Sequence, residues 1–321
     1  MGDLPPARLE VGRPFIKSGV DYAGPLTIKS WKGRGAKSYK AYIALFVCLT
    51  TKAIHLELVS DLTSEGFLAA FRRFVSRRGK VTDLYSDNGT NFVGANAELK
   101  LVLKAVISTP SNSHMADILA RDGTNWHFIP PSSPHFGGLW EAGVKSTKQH
   151  LKRIMGNDLF TFEELNTLLV QIEACLNSRP LTEMSHDPSD LCALTPGHFL
   201  IGEPLTAIPE PWLDSKPVSH LARWKFLQGK LQHFWKRWQM EYLSRLQQRP
   251  KWLQQKANVE VGDLVLLRED NMPPLKWSMA RILDCHPGDD GLVRVVTVRT
   301  ANGLLKRPIS KISPLPTSKS T

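Results

Sequence analysis

The sequence predicts a mixed α/β domain followed by a long amphipathic helix and a small β-barrel. Three observations predict it. Strand-like and helix-like segments alternate over roughly the first half of the chain, an apolar stripe at helical spacing runs from about Leu221 to Leu246, and four short β-rich segments separated by turn residues follow it. At 321 residues, with 42% apolar and 22% charged residues, the chain is long enough for about two domains and has the composition of a folded protein.

The elements follow in order. "SGVDYAGPLTIK" and "SYKAYIALFVCLTTKAIHLELVS" predict three successive strands, with Thr51 and Lys52 near the second bend. "TSEGFLAAFRRFVSRRG" places Phe67, Leu68, Phe71, Phe74 and Val75 at helical spacing and stops at Gly79, while Arg72, Arg73, Arg77 and Arg78 are expected on a solvated face. "VTDLYSDNGT" returns to a strand ended by Asn88 and Gly89, "NAELKLVLKAV" predicts a helix, and "NWHFIPPSSP" a short strand running into a proline loop. A helix is expected from about Leu139, and another over "TFEELNTLLVQIEACLNSRP", where Thr161 and Glu164 fit a capping box and Pro180 closes the element. The Pro-, Asp- and Ser-rich residues 181–217 read as a connector. In the long helix that follows, Leu221, Trp224, Leu231, Trp235, Trp238, Tyr242 and Leu246 are expected to form a packing stripe. "VEVGDLVLL", "WSMARILDCH", "LVRVVTVRT" and "GLLKRPISKISPL" then supply the strands of the expected barrel.

Charge narrows the range of partners. The net charge is +11, yet residues 1–216 hold 23 Lys and Arg against 22 Asp and Glu, whereas residues 217–321 hold 18 against 8. A local basic excess with interleaved tryptophans attracts polyanions through phosphate neutralisation, so nucleic acid is the expected partner. Cys48, Cys175, Cys192 and Cys285 stand far apart, which argues against a disulfide framework or a cysteine-based zinc site and for a reducing compartment. The apolar run "AYIALFVCL" is too short to span a bilayer, and "MGDLPPARLE" has no hydrophobic signal core.

Three acids occupy positions that ask for an explanation. Asp21 lies inside a strand, where a half-buried position ordinarily takes an apolar residue. Asp87 ends a strand at a glycine turn; alone, Asp-Asn-Gly is ordinary turn chemistry. Glu141 opens a helix after Gly137 and Gly138, where an acid is favoured by the helix dipole. On that helix Glu141, Lys145, Lys148 and Lys152 advance by four, three and four positions and share a face, while Trp140, Val144, Leu151 and Ile154 are expected to pack inward. The bland reading of this face is a solvated lysine strip with one Glu-Lys pair.

Together these residues resemble the catalytic core of retroviral-type DDE integrases, and the runs "MGDLPPARL", "GVDYAGP", "SDNGTNFVGAN", "PHFGGLWEAGVKS", "LNSRPLT" and "HFWKRWQMEYLSRLQQR" are most similar to integrases of BEL/Pao-type LTR retrotransposons. The resemblance implies an RNase H-like core over residues 15–180 after a lead-in segment 1–14, a connector 181–217, a basic amphipathic helical segment 218–256 and an SH3-like C-terminal barrel over 257–321. It implies that Asp21, Asp87 and Glu141 hold two Mg²⁺ or Mn²⁺ ions, which activate the nucleophile and relieve charge on the phosphate. Their spacings are 66 and 54 positions, and the longer second spacing is expected from an insertion around "ISTPSNSHMADILARDG".

By the same resemblance Lys145 and Lys148 contact the element's DNA end, with Lys152, His135, Asn88 and Asn91 as further DNA-binding residues. Gly137 and Gly138 are hinges of the loop before the catalytic helix, and Asn88, Thr90 and Asn91 fix the turn that aims Asp87. The implied activity is 3′-end processing and strand transfer of double-stranded DNA in the nucleus, by a homo-oligomer that needs no small-molecule cofactor. Family members also carry a His/Cys zinc domain before the core. No such ligand set precedes His55, so the chain is expected to be a piece of a polyprotein or of a host gene derived from one. The rival readings are a domesticated, non-catalytic DNA- or chromatin-binding protein and an RNase H-like nuclease acting on hybrids.

Overall fold

The computed structural model describes residues 10, 12–107, 123–128, 147–156, 158–185, 187–213, 223–247 and 258–316. The fold is mixed α/β and divides into two compact units, Met1–Glu173 and Ala174–Thr321.

The first unit is built on one sheet. Strands β1 (Lys17–Lys29), β2 (Ser38–Cys48) and β3 (Ile54–Val59) pair antiparallel in sequence, as hairpin-connected strands do. Pro25 cannot donate to the ladder, and the register of β1 against β2 shifts between Ala23 and Leu26 to accommodate it. Helix α1 (Ser64–Arg78) then crosses over to β4 (Asp83–Ser86), which pairs parallel with β1, and β5 (Asn125–Phe128) pairs parallel with β4. The resulting order is β3-β2-β1-β4-β5, with β6 (Phe160–Thr161) parallel to the far end of β1. The long central strand β1 therefore has β2 on one side and β4 on the other.

Alternation along β1 divides the two faces of the sheet. Val20 and Tyr22 join Phe46 of β2 on the face covered by α1 and by α2 (Thr90–Ile107), where Phe46 stacks on Phe74 at 4.1 Å and Tyr22 on Phe92 at 5.4 Å. Gly19 and Asp21 belong to the opposite face. A further helix, α3, is described over residues 147–155, with Leu151, Ile154 and Met155 buried and Lys152 and Arg153 exposed. In α4 (Phe162–Asn177) the capping box forms in both directions: Thr161 N donates to Glu164 Oε2 at 2.9 Å, and Glu164 N to Thr161 Oγ1 at 3.4 Å.

The arginines of α1 correct an expectation. Arg72, Arg73 and Arg77 are exposed as expected, but Arg73, Arg77 and half-buried Arg78 also form ion pairs with Glu57, 3% exposed, and Glu173, 9% exposed. Buried carboxylates need cationic partners, and α1 runs alongside β3, whose Glu57 supplies one of them. His55 completes the cluster, its Nε2 2.9 Å from Glu57 Oε1.

In the second unit, part of the expected connector is structured. Strands β7 (Thr182–Glu183) and β8 (Ala193–Leu194) form a hairpin, and α5 (Pro196–Ile201) follows. Buried Arg281 holds the hairpin loop by donating to the carbonyls of Ser185 at 3.1 Å and Asp190 at 2.9 Å, and it lies 3.2 Å from Glu183 Oε2. The long helix α6 (Arg223–Gln247) buries Leu231, Trp235 and Trp238 as the stripe predicts, with Trp235, Trp238 and Tyr242 arranged around Trp277 at 5.0–5.7 Å. Trp224, in its first turn, is instead 51% exposed.

Strands β9 (Leu264–Leu267), β10 (Met279–Pro287), β11 (Val293–Thr300), β12 (Gly303–Pro308) and β13 (Ile312–Pro314) make a five-stranded antiparallel sheet ordered β12-β11-β10-β9-β13. This path is open: among the described residues β12 and β13 are its two ends and do not pair, so the expected closed barrel is not seen. Val265, Ile282, Val296, Val298 and Ile312 fill its apolar side.

Candidate active site

The register of β1 against β4 sets the strands of the first two predicted acids side by side. The parallel pairing runs Lys17 with Asp83, Ser18 with Leu84 and Gly19 with Tyr85. Continued by two residues, it sets Asp21 beside Asp87, the residue that follows the end of β4. Paired residues of parallel strands present their side chains to the same face, so both carboxylates belong to the face of Gly19 and Tyr85.

Local chemistry fixes each acid. Asp21 Oδ1 accepts a hydrogen bond from Tyr22 N at 2.7 Å, and its Oδ2 lies 2.7 Å from Lys148 Nζ, with side chains 28% and 31% exposed respectively. Asp87 is exposed and its Oδ1 accepts from Gly89 N at 3.0 Å, which closes the Asx turn that ends β4. Gly89 leaves room for these side chains: a Cβ there would meet Asn91 Oδ1 at 2.8 Å and Asp87 Oδ1 at 3.1 Å.

The turn is anchored from beneath. Phe92 N and Val93 N donate to Gly89 O at 3.0 Å, beginning α2, and buried Phe92 packs between Tyr22 and Phe67. Ser86 Oγ donates to the carbonyl of Asp87 at 2.8 Å and accepts from Trp126 Nε1 at 2.8 Å. Burial, then the nearby Asp61 charge, pushes the Tyr22 hydroxyl up, so it stays neutral beneath the sheet.

Of the other predicted residues, Asn88 and Thr90 are exposed in the turn and first helical position after Asp87, while Asn91 is half-buried and its Nδ2 buried. Lys148 is placed on Asp21, and Lys152 lies exposed one helical turn further along α3. Glu141, Lys145, His135, Gly137 and Gly138 lie outside the described residues.

The donor set suits a hard divalent cation as far as it goes. Two carboxylates at neighbouring strand positions are the ligand type that Mg²⁺ and Mn²⁺ prefer. The Lys148 ammonium, 2.7 Å from Asp21, shows that this position draws positive charge. Among the described residues no group of three or more His, Cys, Asp or Glu side chains could hold a metal ion.

A second cluster on the same face was not anticipated. His127 Nε2 lies 2.7 Å from Asp83 Oδ1, Thr82 Oγ1 donates to Asp83 Oδ2 at 2.8 Å, and the His127 ring stacks on Tyr85 at 4.6 Å and 17°. These bonds, with the charges of His127 and Lys17, hold the Asp83 carboxyl below the usual range although its desolvation opposes them. A signal was present: in "DLYSD" Asp83, Tyr85 and Asp87 recur with period two and so share a strand face.

Residues 222–315 match a family described as a family of unknown function, DUF5641. No curated protein matches the chain. Among solved structures, the chain is similar to a chain of the simian T-cell lymphotropic virus intasome in complex with PP2A regulatory subunit B56 gamma, at 11% identity over 96% of this chain and 82% of that one, with a TM-score of 0.36. It is also similar to the HTLV-2 integrase catalytic core domain in complex with magnesium, in its dimeric form, at 17% identity over 51% of this chain and 88% of that one, with a TM-score of 0.31.

Proposed function

We propose that the chain is a DDE polynucleotidyl transferase of the retroviral integrase type, of the BEL/Pao retrotransposon kind, acting on double-stranded DNA. The observation that carries this reading is the β1–β4 register, with Gly19 paired to Tyr85, which carried on by two residues would put Asp21 next to Asp87, together with Lys148 reaching Asp21. An RNase H-like core asks its first strand and the end of its fourth strand for one acid each, and the order β3-β2-β1-β4-β5 supplies those two places side by side. We take residues 15–180 as that core after a lead-in 1–14, 181–217 as the connector, 218–256 as the basic helical segment and 257–321 as an SH3-like domain. A homo-oligomer working on element and target DNA in the nucleus completes the proposal.

Asp21 and Asp87, with Glu141 as the third ligand, would hold two Mg²⁺ or Mn²⁺ ions, and the bound metal supplies nucleophile activation and charge relief at the phosphate. The chain's own residues perform the rest. The Asx turn at Asp87, braced by Gly89 and Phe92, holds one carboxylate without reorganisation. Lys148 and Lys152 offer positive charge to a DNA backbone leaving the site along α3. In the first reaction water attacks a phosphodiester near the 3′ end of the element, the bond from phosphorus to the 3′-oxygen breaks, that oxygen takes a proton to become the free 3′-hydroxyl, and the terminal nucleotides leave with the phosphate. In the second, the freed 3′-hydroxyl oxygen attacks a target phosphodiester in line, and the target's own 3′-oxygen leaves and takes a proton. No nucleotide cofactor is consumed.

Mn²⁺-dependent cleavage and disintegration of labelled branched DNA tests this, comparing the native chain with Asp87→Asn and Glu141→Gln. Activity in the native chain alone is expected. Equal DNA binding by all three folded proteins with no cutting or joining by any would leave the DNA-binding reading in its place.

A further inference from the structure

We propose that His127 and Tyr85 form a stacking subsite for an unpaired nucleotide base next to the two aspartates. This rests on the reading that the chain acts on nucleic acid. Three strands carry the subsite in register: Gly19 of β1 pairs with Tyr85 of β4, and Tyr85 pairs with His127 of β5. Asp21 and Asp87 stand two residues further along the same strands and on the same face, about 6.6 Å away at the usual strand rise. An aromatic pair thus lies roughly one row of side chains from the place where a phosphodiester would react.

The pair is preorganised and open. His127 is fixed flat on Tyr85 at 4.6 Å and 17°, and it is held from the side by Asp83 at 2.7 Å, so a base meeting the ring would not have to order it. Its side chain is nonetheless 44% exposed. The charges of Asp83 and Lys17 oppose one another at this spot, so it offers a phosphate no net attraction, whereas the neutral face of a base stacks without electrostatic cost. Gly19, the third member of the row, adds no side chain between the rings and Asp21. The ligand class that fits is a flayed base of a DNA strand whose partner strand enters the active site. Every base has a π-face, so the subsite should tolerate any sequence.

The test measures binding of the full chain to fluorescein-labelled duplexes, with no divalent metal present so that nothing is cut. One duplex is blunt, one carries a short unpaired tail, and one carries the same tail with abasic sugars. The native chain is expected to favour the intact tail over the abasic tail by about tenfold. His127→Ala should lose that preference while keeping its affinity for blunt duplex, and His127→Phe, which can still stack, should retain most of it. Equal affinity of the native chain for intact and abasic tails overturns the proposal, even if His127→Ala does not fold. So does an equal loss on blunt and tailed DNA in His127→Ala, and so does a loss in His127→Phe as large as that in His127→Ala. None of these readouts depends on catalysis: a tail preference that survives in a chain unable to cut branched DNA keeps the subsite and removes the transferase, and the converse result does the reverse.

Discussion

Lys148 sits on Asp21 at 2.7 Å, and the two side chains are 31% and 28% exposed, so the pair contributes little to stability, about 0–1 kcal/mol. Its consequence is for binding. A cation that approaches Asp21 has to displace an ammonium, and the lysine so released is free to meet a phosphate. Lys148→Met is therefore expected to leave the melting temperature nearly unchanged and to tighten Mn²⁺ binding by up to about fivefold, the factor an exposed ion pair can represent. The same variant should reduce the salt slope of DNA binding by about one. Titration of Mn²⁺ by electron paramagnetic resonance decides it; weaker metal binding in the variant would show that the lysine supports the site. Asp21 and Asp87 could be singled out in the sequence because each stands among strand or turn residues. The Lys148–Asp21 contact was not, because helical spacing shows which lysines share a face but not what that face meets 127 positions away. For the same reason the contact between Asp83 and His127, 44 positions apart, was not legible.

At the level of elements, the strands and helices of the first unit follow from period and caps: Thr63 and Gly79 bound α1, and the Thr161–Glu164 box opens α4. What period cannot convey is which helix face meets a buried acid, and the α1 arginines are the instance. Glu57 is 3% exposed and is met by His55 and by the exposed Arg73 and Arg77, while no ion pair draws Arg72 of the same helix to it among the described residues. Glu57→Ala leaves a buried imidazole and two guanidinium groups without their acceptor and should destabilise the fold by about 3 kcal/mol, whereas Arg72→Ala should fall within about 0.5 kcal/mol. Urea unfolding of the two variants checks this, and similar midpoints would refute the buried network. In the second unit the short terminal strands were legible, but their closure was not: turn residues mark where strands end, while barrel closure depends on a pairing between the first and last edges that no local pattern encodes.

For the molecule as a whole, two fields act on the chain, one set by buried ionisable groups and one by surface charge. Burial lowers the His55 pKa below its usual 6.5, and the neutral ring donates Nε2–H to Glu57 and accepts from Arg78 Nε at 3.2 Å. Glu173 also lies below its usual 4.5, held there by His55, Arg78 and the Leu56 amide against the cost of its burial. A folded pKa below the unfolded one means the unfolded chain takes up the proton first, so both groups withdraw stability as pH falls, His55 from about pH 6.5 downward and Glu173 from about 4.5. Thermal unfolding should thus show a loss beginning near pH 6.5, to which His233 also contributes, and His55→Gln should reduce that early part while leaving the carboxylate part; an unchanged profile would assign the early loss elsewhere. Surface charge acts on partners instead. The basic excess of the last third was legible from composition, but only the helix shows where it is presented: α6 turns Trp235 and Trp238 inward and leaves Lys225, Lys236 and Arg237 exposed. Burial first, and then Arg237, Lys230 and Lys236, lowers the pKa of His233 between them, so that face carries its charge on lysine and arginine at neutral pH. If these three cations meet phosphates, replacing all of them with alanine should lower the slope of log K against log salt by about 2.7, since each neutralised phosphate contributes about 0.9. The aromatic packing on the other face of α6 should be untouched, so the melting temperature of the triple variant should match the native chain. A slope that stays the same while affinity falls would mean that the helix acts through shape or assembly, and that the phosphate contacts lie on the five-stranded sheet.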